Sequence, residues 1–269
     1  MPPVLRAAHI EPTLAVTFIA TALGVALGLG LAAVWLAVAV LAGQLAVGWH
    51  NDWVDVERDR AAGRTDKPAA VGTVPLNALP VLAGVAAASA ALLSLPLGLP
   101  AAAAHVVAIG AALSYNARLK AGWFSVVPWA VAFGLLPAAV WLASGRTPPW
   151  WAVGVGALLG VTAHCMNALP DLVSDRAAGI HGLPHRLGPT GAVATGATTA
   201  AAAALLAAAA LSPLPRAAMA GVAGFIVSVA VLAVTGLRGH QRLAFRLTLL
   251  AAAGLVAALL AAGVLSRSA

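Results

Sequence analysis

Asn51-Asp52-Trp53-Val54-Asp55-Val56-Glu57-Arg58-Asp59-Arg60-Ala61-Ala62-Gly63-Arg64-Thr65-Asp66-Lys67-Pro68 follows directly on residues 31–50, an apolar run without Asp, Glu, Lys or Arg. That run has about the 20 residues a helix needs to cross a bilayer. The chain thus leaves the hydrocarbon as a helix and at once presents acids. Four residues advance a helix by slightly more than one turn, so Asn51, Asp55 and Asp59 fall on one face, with Asp52 close beside it. The reading is a membrane span ending in a ladder of hard oxygen ligands.

The same pattern returns at 167–184. Asn167, Asp171, Asp175, Arg176, Ala177, Ala178, Gly179 and Pro184 repeat Asn51, Asp55, Asp59, Arg60, Ala61, Ala62, Gly63 and Pro68 at identical spacing, N-x3-D-x3-D-R-A-A-G-x4-P. Alanine is abundant here and carries little weight. The Asn, Asp, Arg and Gly matches stand out because the chain has only 8 acids in 269 residues. All of them except Glu11 lie in the two motifs or their sequels.

Hydrophobic residues make up 62% of the chain and charged residues 9%, against roughly 25% charged in a soluble domain. Apolar stretches of membrane-spanning length recur throughout, which points to a single polytopic all-α membrane domain over 1–269. Breaks at Pro, Gly and charge predict about nine transmembrane helices. They lie near 12–29, 31–50, 74–96, 99–117, 123–144, 149–170, 190–211, 216–236 and 245–265. Gly28-Leu29-Gly30 and Leu95–Pro100 read as hairpin turns, and 51–73 and 171–189 as long polar connections, a length that tends to be functional. Cys165, the single cysteine, has no disulfide or zinc partner and reads as a small buried hydrophobe.

The net charge of +7 does not call for nucleic acid, because basic residues of membrane proteins gather in cytoplasmic loops. With a cytoplasmic N-terminus, twelve basic residues (Arg6, Arg58, Arg60, Arg64, Lys67, Arg118, Lys120, Arg176, Arg186, Arg238, Arg242, Arg246) fall inside and only Arg146, Arg216 and Arg267 outside. This places both acidic motifs on the cytoplasmic side, the C-terminus outside, and the protein in the cell (plasma) membrane.

Clustered carboxylates repel one another unless cations neutralise them, either nearby Arg and Lys or a metal ion. Magnesium takes one or two carboxylates with water and phosphate oxygens, which suits two separated ladders gripping a diphosphate. Zinc would ask for His or Cys, which the ladders lack.

Asn51-Asp52-x2-Asp55-x3-Asp59-Arg60 followed by Arg64-Thr65-x-Lys67-Pro68 resembles the first signature of the UbiA-type intramembrane prenyltransferases. Asp171-x3-Asp175-x3-Gly179, running to Leu183-Pro184 and Leu187-Gly188, resembles the second, and Tyr115-x3-Leu119-Lys120 resembles the tyrosine and lysine after their fourth helix. Lys67 stands where the family commonly has arginine, and no arginine-proline start is evident. The resemblance implies a UbiA-like fold of about nine transmembrane helices around a central cavity, Mg2+ as cofactor, and an isoprenoid diphosphate donor whose tail lies among apolar helices. It also implies a lipophilic or aromatic acceptor, with membrane lipid as the surroundings. Asp52, Asp55, Asp59, Asp171 and Asp175 would hold metal together with Asn51 and Asn167. Arg64, Lys67, Tyr115, Lys120 and Arg186 would hold diphosphate, with Lys120 the foremost base. Arg60 and Arg176 could contact phosphate or pair with neighbouring acids. The faces of Trp49, Trp53, Tyr115 and Trp129 could steady a carbocation or simply sit at the membrane interface. His50 and His164 flank the ladders, His181 and His185 lie in the second connection, and His105 reads as a hydrogen bond between helices. A terpene cyclase of the same family is the alternative reaction; a cation-coupled transporter fits less well, because its acids would sit near the bilayer midplane.

Overall fold

A computed structural model describes residues 2–261, and no strand occurs among them. A short helix α1 (Pro3–Ala7) precedes α2 (Ile10–Ala26), α3 (Ala32–Ala61), α4 (Ala78–Ser94), α5 (Leu99–Ala117), α6 (Val126–Ala143) and α7 (Trp150–Ala168). Then follow α8 (Leu172–Ala177), α9 (Leu183–Ala210), α10 (Arg216–Leu237) and α11 (Gln241–Ala261). Among the described residues eight helices are long and apolar enough to cross a membrane, and α2, at 17 residues, falls just short. The predicted end of the last span, and Arg267, lie outside the described residues.

The helices pack in chain order and then close: α2 on α3, α3 on α4 and α5, α5 on α6, α6 on α7, α7 on α9, α9 on α10, α10 on α11, and α11 back on α2. Three clusters of buried side chains sit between neighbours in this ring, around Leu232 and Met166, around Leu79 and Trp49, and around Trp141 and Leu36. None fills the centre, which is left as a cavity. Small residues let the backbones close up, as membrane helices commonly require. A Cβ on Gly48 would stand 2.4 Å from the Ala8 carbonyl oxygen, and one on Gly160 2.4 Å from that of Trp129. Outward surfaces are apolar, with Leu31, Val85, Leu92, Leu99 and Leu250 strongly exposed, as a lipid solvent permits.

Two predicted connections prove to be largely helical. The first motif belongs to α3, which runs unbroken to Ala61, and the open loop starts only at Ala62. The second contains α8 and the start of α9, which bends at Gly188 (φ 70°, ψ 176°) before Pro189. A left-handed φ costs glycine little, and Pro189 cannot donate to the helix.

Candidate active site

Both motifs end in the same backbone device. Arg64 N–H donates to Asp59 O (2.9 Å) and Gly63 N–H to Arg60 O (3.0 Å); Ile180 N–H donates to Asp175 O (2.9 Å) and Gly179 N–H to Arg176 O (3.1 Å). This paired closure of a helix end requires a left-handed residue at the glycine, and Gly63 (φ 65°) and Gly179 (φ 80°) supply it. The shared Asp-Arg-Ala-Ala-Gly is therefore a helix stop with an acid one turn before it.

Upstream the copies diverge, and the expectation that Asn167, Asp171 and Asp175 share one helix face is corrected. Pro170 has no N–H to give and its ring crowds the carbonyl of Met166, so α7 ends at Ala168. Leu169–Asp171 form a tight 3-10 turn, with Asp171 at φ −110°, ψ 2°, and α8 restarts the helix. The first ladder has Val54 at that place and stays straight.

Asp52 is 1% exposed. Its Oδ1 accepts from Lys67 Nζ (2.7 Å) and lies 3.0 Å from His9 Nε2, which is itself 3.0 Å from Lys67 Nζ, while Oδ2 is buried without a partner. Asp55 pairs through Oδ1 with Lys120 and with Arg58 (2.6 Å), and its Oδ2 accepts from Asn51 Nδ2 (3.1 Å). Burial pushes the Lys120 ammonium below its usual range, and the Asp55 carboxylate pulls it back up. The Asp59 carboxylate has no hydrogen bond or ion pair among the described residues.

Arg64 joins the motifs. Its Nη1 donates to Asp171 Oδ1 (2.7 Å), while Nε and Nη2 grip Asp66 (2.8 and 3.0 Å). That fork holds the Asp66 carboxyl down at about 2. Asp175 lies 3.1 Å from His185 Nε2, and Arg176 donates to the His185 carbonyl. The second motif also docks on the turn after α5: Leu183 N–H donates to Ser125 Oγ (2.8 Å), and Gly182 lies against the Lys120 carbonyl, where a Cβ would come within 2.5 Å.

Asn51 and Asn167 both line the central cavity, about 1160 Å³ counting its open mouth, together with Tyr115, Asn116, Trp129 and Phe133. Tyr115 meets Trp129 and His164 edge to face. The rest of the wall is mostly Ala, Val, Ile, Leu and Pro, with Thr13, Gln44 and His105 among them.

Several expectations change. Arg186 is exposed, lies over the Trp123 ring and donates to the His181 carbonyl, sharing no hydrogen bond or ion pair with the Asp or Asn side chains of either motif. Lys67 is engaged by Asp52 and His9. The acids of the first ladder are balanced largely by Lys67, Lys120, Arg58 and His9, so neutralising their charge does not by itself demand a metal ion. No three His, Cys, Asp or Glu side chains gather in one metal-holding group among the described residues. The donor set still fits magnesium, which needs only one or two carboxylates per ion: Asp59 and Asn167 offer unpartnered hard oxygens, and Asp52 Oδ2 is orphaned. His105 does bond between helices, to Ser94 Oγ (2.8 Å), and Cys165 is buried.

His9 was not foreseen. It caps α2 with left-handed backbone (φ 52°), a costly state for a residue other than glycine. Trp49 Nε1, donating to Val4 O (2.8 Å), and Thr13 Oγ1, donating to Ala8 O (2.9 Å), pin its segment over α3.

A model of the UbiA prenyltransferase family matches residues 10–247. Among solved structures, an apo UbiA homolog from Aeropyrum pernix K1 superposes with a TM-score of 0.78 at 22% identity, over 91% of this chain and 97% of that one. A UbiA homolog from Archaeoglobus fulgidus bound to GPP and Mg2+ gives 0.69 at 18% identity, over 99% and 100%. A structure described for digeranylgeranylglyceryl phosphate synthase in membranes gives 0.69 at 14%, over 97% and 98%. A sequence comparison with curated proteins finds no match.

Proposed function

This chain belongs to the UbiA prenyltransferase family, and from that premise we propose that it transfers a prenyl group from an isoprenoid diphosphate to a lipophilic or aromatic acceptor, with Mg2+ and release of diphosphate. The observation that carries the reading is the meeting of two acidic motifs, more than a hundred residues apart, at the mouth of one apolar-walled cavity, with Arg64 bridging them to Asp171. The A. fulgidus homolog of the same fold is described as bound to GPP and Mg2+, which supports the reading.

Asp55, Asp59 and Asn51 on one side, and Asp171, Asp175 and Asn167 on the other, are the groups that would hold magnesium, with Asp52 behind the first set. Bound there, magnesium would supply positive charge against a departing diphosphate. Lys120, Arg64 and Lys67 stand beside these acids and hold phosphate oxygens by charge-assisted hydrogen bonds. Tyr115, Trp129 and Phe133 turn aromatic faces and edges to the cavity where positive charge develops, and the closed ring of helices keeps water from it until the acceptor carbon attacks. The basic residues around the site support a cytoplasmic orientation.

Purified protein incubated with magnesium and a panel of isoprenoid diphosphates, with and without aromatic and lipid acceptors, tests the reading by mass spectrometry. A prenylated acceptor and free diphosphate are expected. Cyclised hydrocarbon formed without acceptor would replace the transferase reading by a cyclase, and intact donor in every reaction would end it.

A further inference from the structure

The cavity is not apolar throughout. Gln44 on α3 and His105 on α5 line it well inside the spans, where polar side chains are costly and rarely idle. Two contacts fix their depth. At the mouth, Asn51 Nδ2 approaches Asn116 Oδ1 (3.4 Å); further in, His105 Nε2 lies against α3 at Gly43, where a Cβ would stand 3.2 Å away. Gln44 and Asn51 are two turns apart on the same face of α3, about 10 Å along the axis at 1.5 Å per residue.

Both polar groups lack partners. Gln44 makes no hydrogen bond among the described residues. Ser94 Oγ donates its one proton to the Ala90 carbonyl (2.7 Å), so His105 Nδ1–H donates to Ser94 Oγ (2.8 Å) and the Nε2 lone pair is left over. His105 is 5% exposed, and it belongs to the cavity wall. A hydrocarbon tail lying across these groups can bond neither of them and shuts out any water that would, leaving an amide and an imidazole nitrogen unsatisfied in a dry wall.

We propose that Gln44 and His105 form a polar stop that confines the donor's tail to the part of the cavity between them and the acidic motifs. An isoprene unit adds four main-chain carbons, about 5 Å when extended on bonds of about 1.5 Å, so about two units fit in the roughly 10 Å available. The donor is then a short-chain isoprenoid diphosphate of geranyl size. This inference rests on the transferase reading and adds the length of its substrate.

The test gives the full-length protein, with magnesium and the aromatic and lipid acceptors of the panel above, geranyl, farnesyl and geranylgeranyl diphosphate in turn, and reads kcat/KM for diphosphate release. Wild type is expected to fall by about tenfold or more from geranyl to geranylgeranyl. Gln44→Leu and His105→Leu are expected to narrow that ratio by about tenfold while geranyl turnover stays within about twofold. Gln44 makes no hydrogen bond, so its variant breaks none and carries the test alone should His105→Leu, which cuts the tie to Ser94, fail to fold. An unchanged ratio in well-folded Gln44→Leu overturns the stop, as does a wild-type preference for the longest donor. Release from none of the three donors by wild type overturns the transferase reading itself, and the stop with it.

Discussion

The two acidic motifs share their spacing and their closing helix stop, yet one is a straight, buried ladder and the other a broken, open one. Asp52 and Asp55 are 1% and 14% exposed at their side chains, Asp175 and Asp171 23% and 35%. The first set is locked among the protein's own cations. The second hangs on Arg64 and His185 after a proline break. Equal spacing in a sequence thus specifies which residue types recur and how the helix ends, while one intervening residue decides whether they share a face. The asymmetry leaves the acids of the first motif enclosed and those of the second open.

The largest effect should come from removing either half of the grip. Asp55→Ala and Asp171→Ala are each expected to lower diphosphate release by about a hundredfold or more, and the double variant by little beyond either, because the two halves act on one leaving group. Near-normal turnover in Asp171→Ala would make the second motif a decorated connection. Stability should separate the motifs in the other sense. Lys67→Met leaves the Asp52 carboxylate buried with a poorer partner set and should cost about 3–5 kcal/mol, whereas Asp175→Asn, at a more open pair, should cost about 1 kcal/mol or less. Equal losses in detergent melting would erase the contrast.

Pro170→Ala restores the missing N–H and should let α7 run on toward Asp171. A few-fold loss of turnover with a raised magnesium requirement is expected, on the order of 1 kcal/mol; unchanged magnesium dependence would show that the break has no part in ligand binding. The smallest effect concerns pH. Arg64 holds the Asp66 carboxyl at about 2, below its ordinary value, so its contribution is complete above the unfolded value and is lost as pH falls toward about 2. The melting difference between wild type and Asp66→Asn should be constant down to about pH 5 and shrink below it; a difference that grows on acidification would contradict the pairing.

Much of this arrangement was legible in the residues. Gly28, Gly30 and Gly98 mark hairpins that the backbone makes with positive φ, and the repeat located both halves of the mouth. Pro170 was equally visible, but spacing alone carried the reading over it. His9 was hidden for another reason: its contact with Asp52 spans 43 residues and depends on Gly48 admitting the Ala8 backbone, a matter of helix packing that no local pattern encodes. Arg186 lies in the first turn of α9 and stacks on Trp123, a contact across 63 positions that no local pattern marks.

The ring closes where α11 meets α2, and there Arg246 takes Glu11 in a two-pronged ion pair (2.8 and 2.9 Å) across 235 positions of sequence. Because synthesis proceeds from the N-terminus at about 5–20 residues per second, the first apolar helix must wait in the bilayer with its only acid unmatched until nearly the whole chain has been made. The cavity wall supplied by Phe245 and Leu249 arrives in the same final moments. A ribosome-bound chain halted before that point would carry both acidic motifs and still lack the last wall of the cavity.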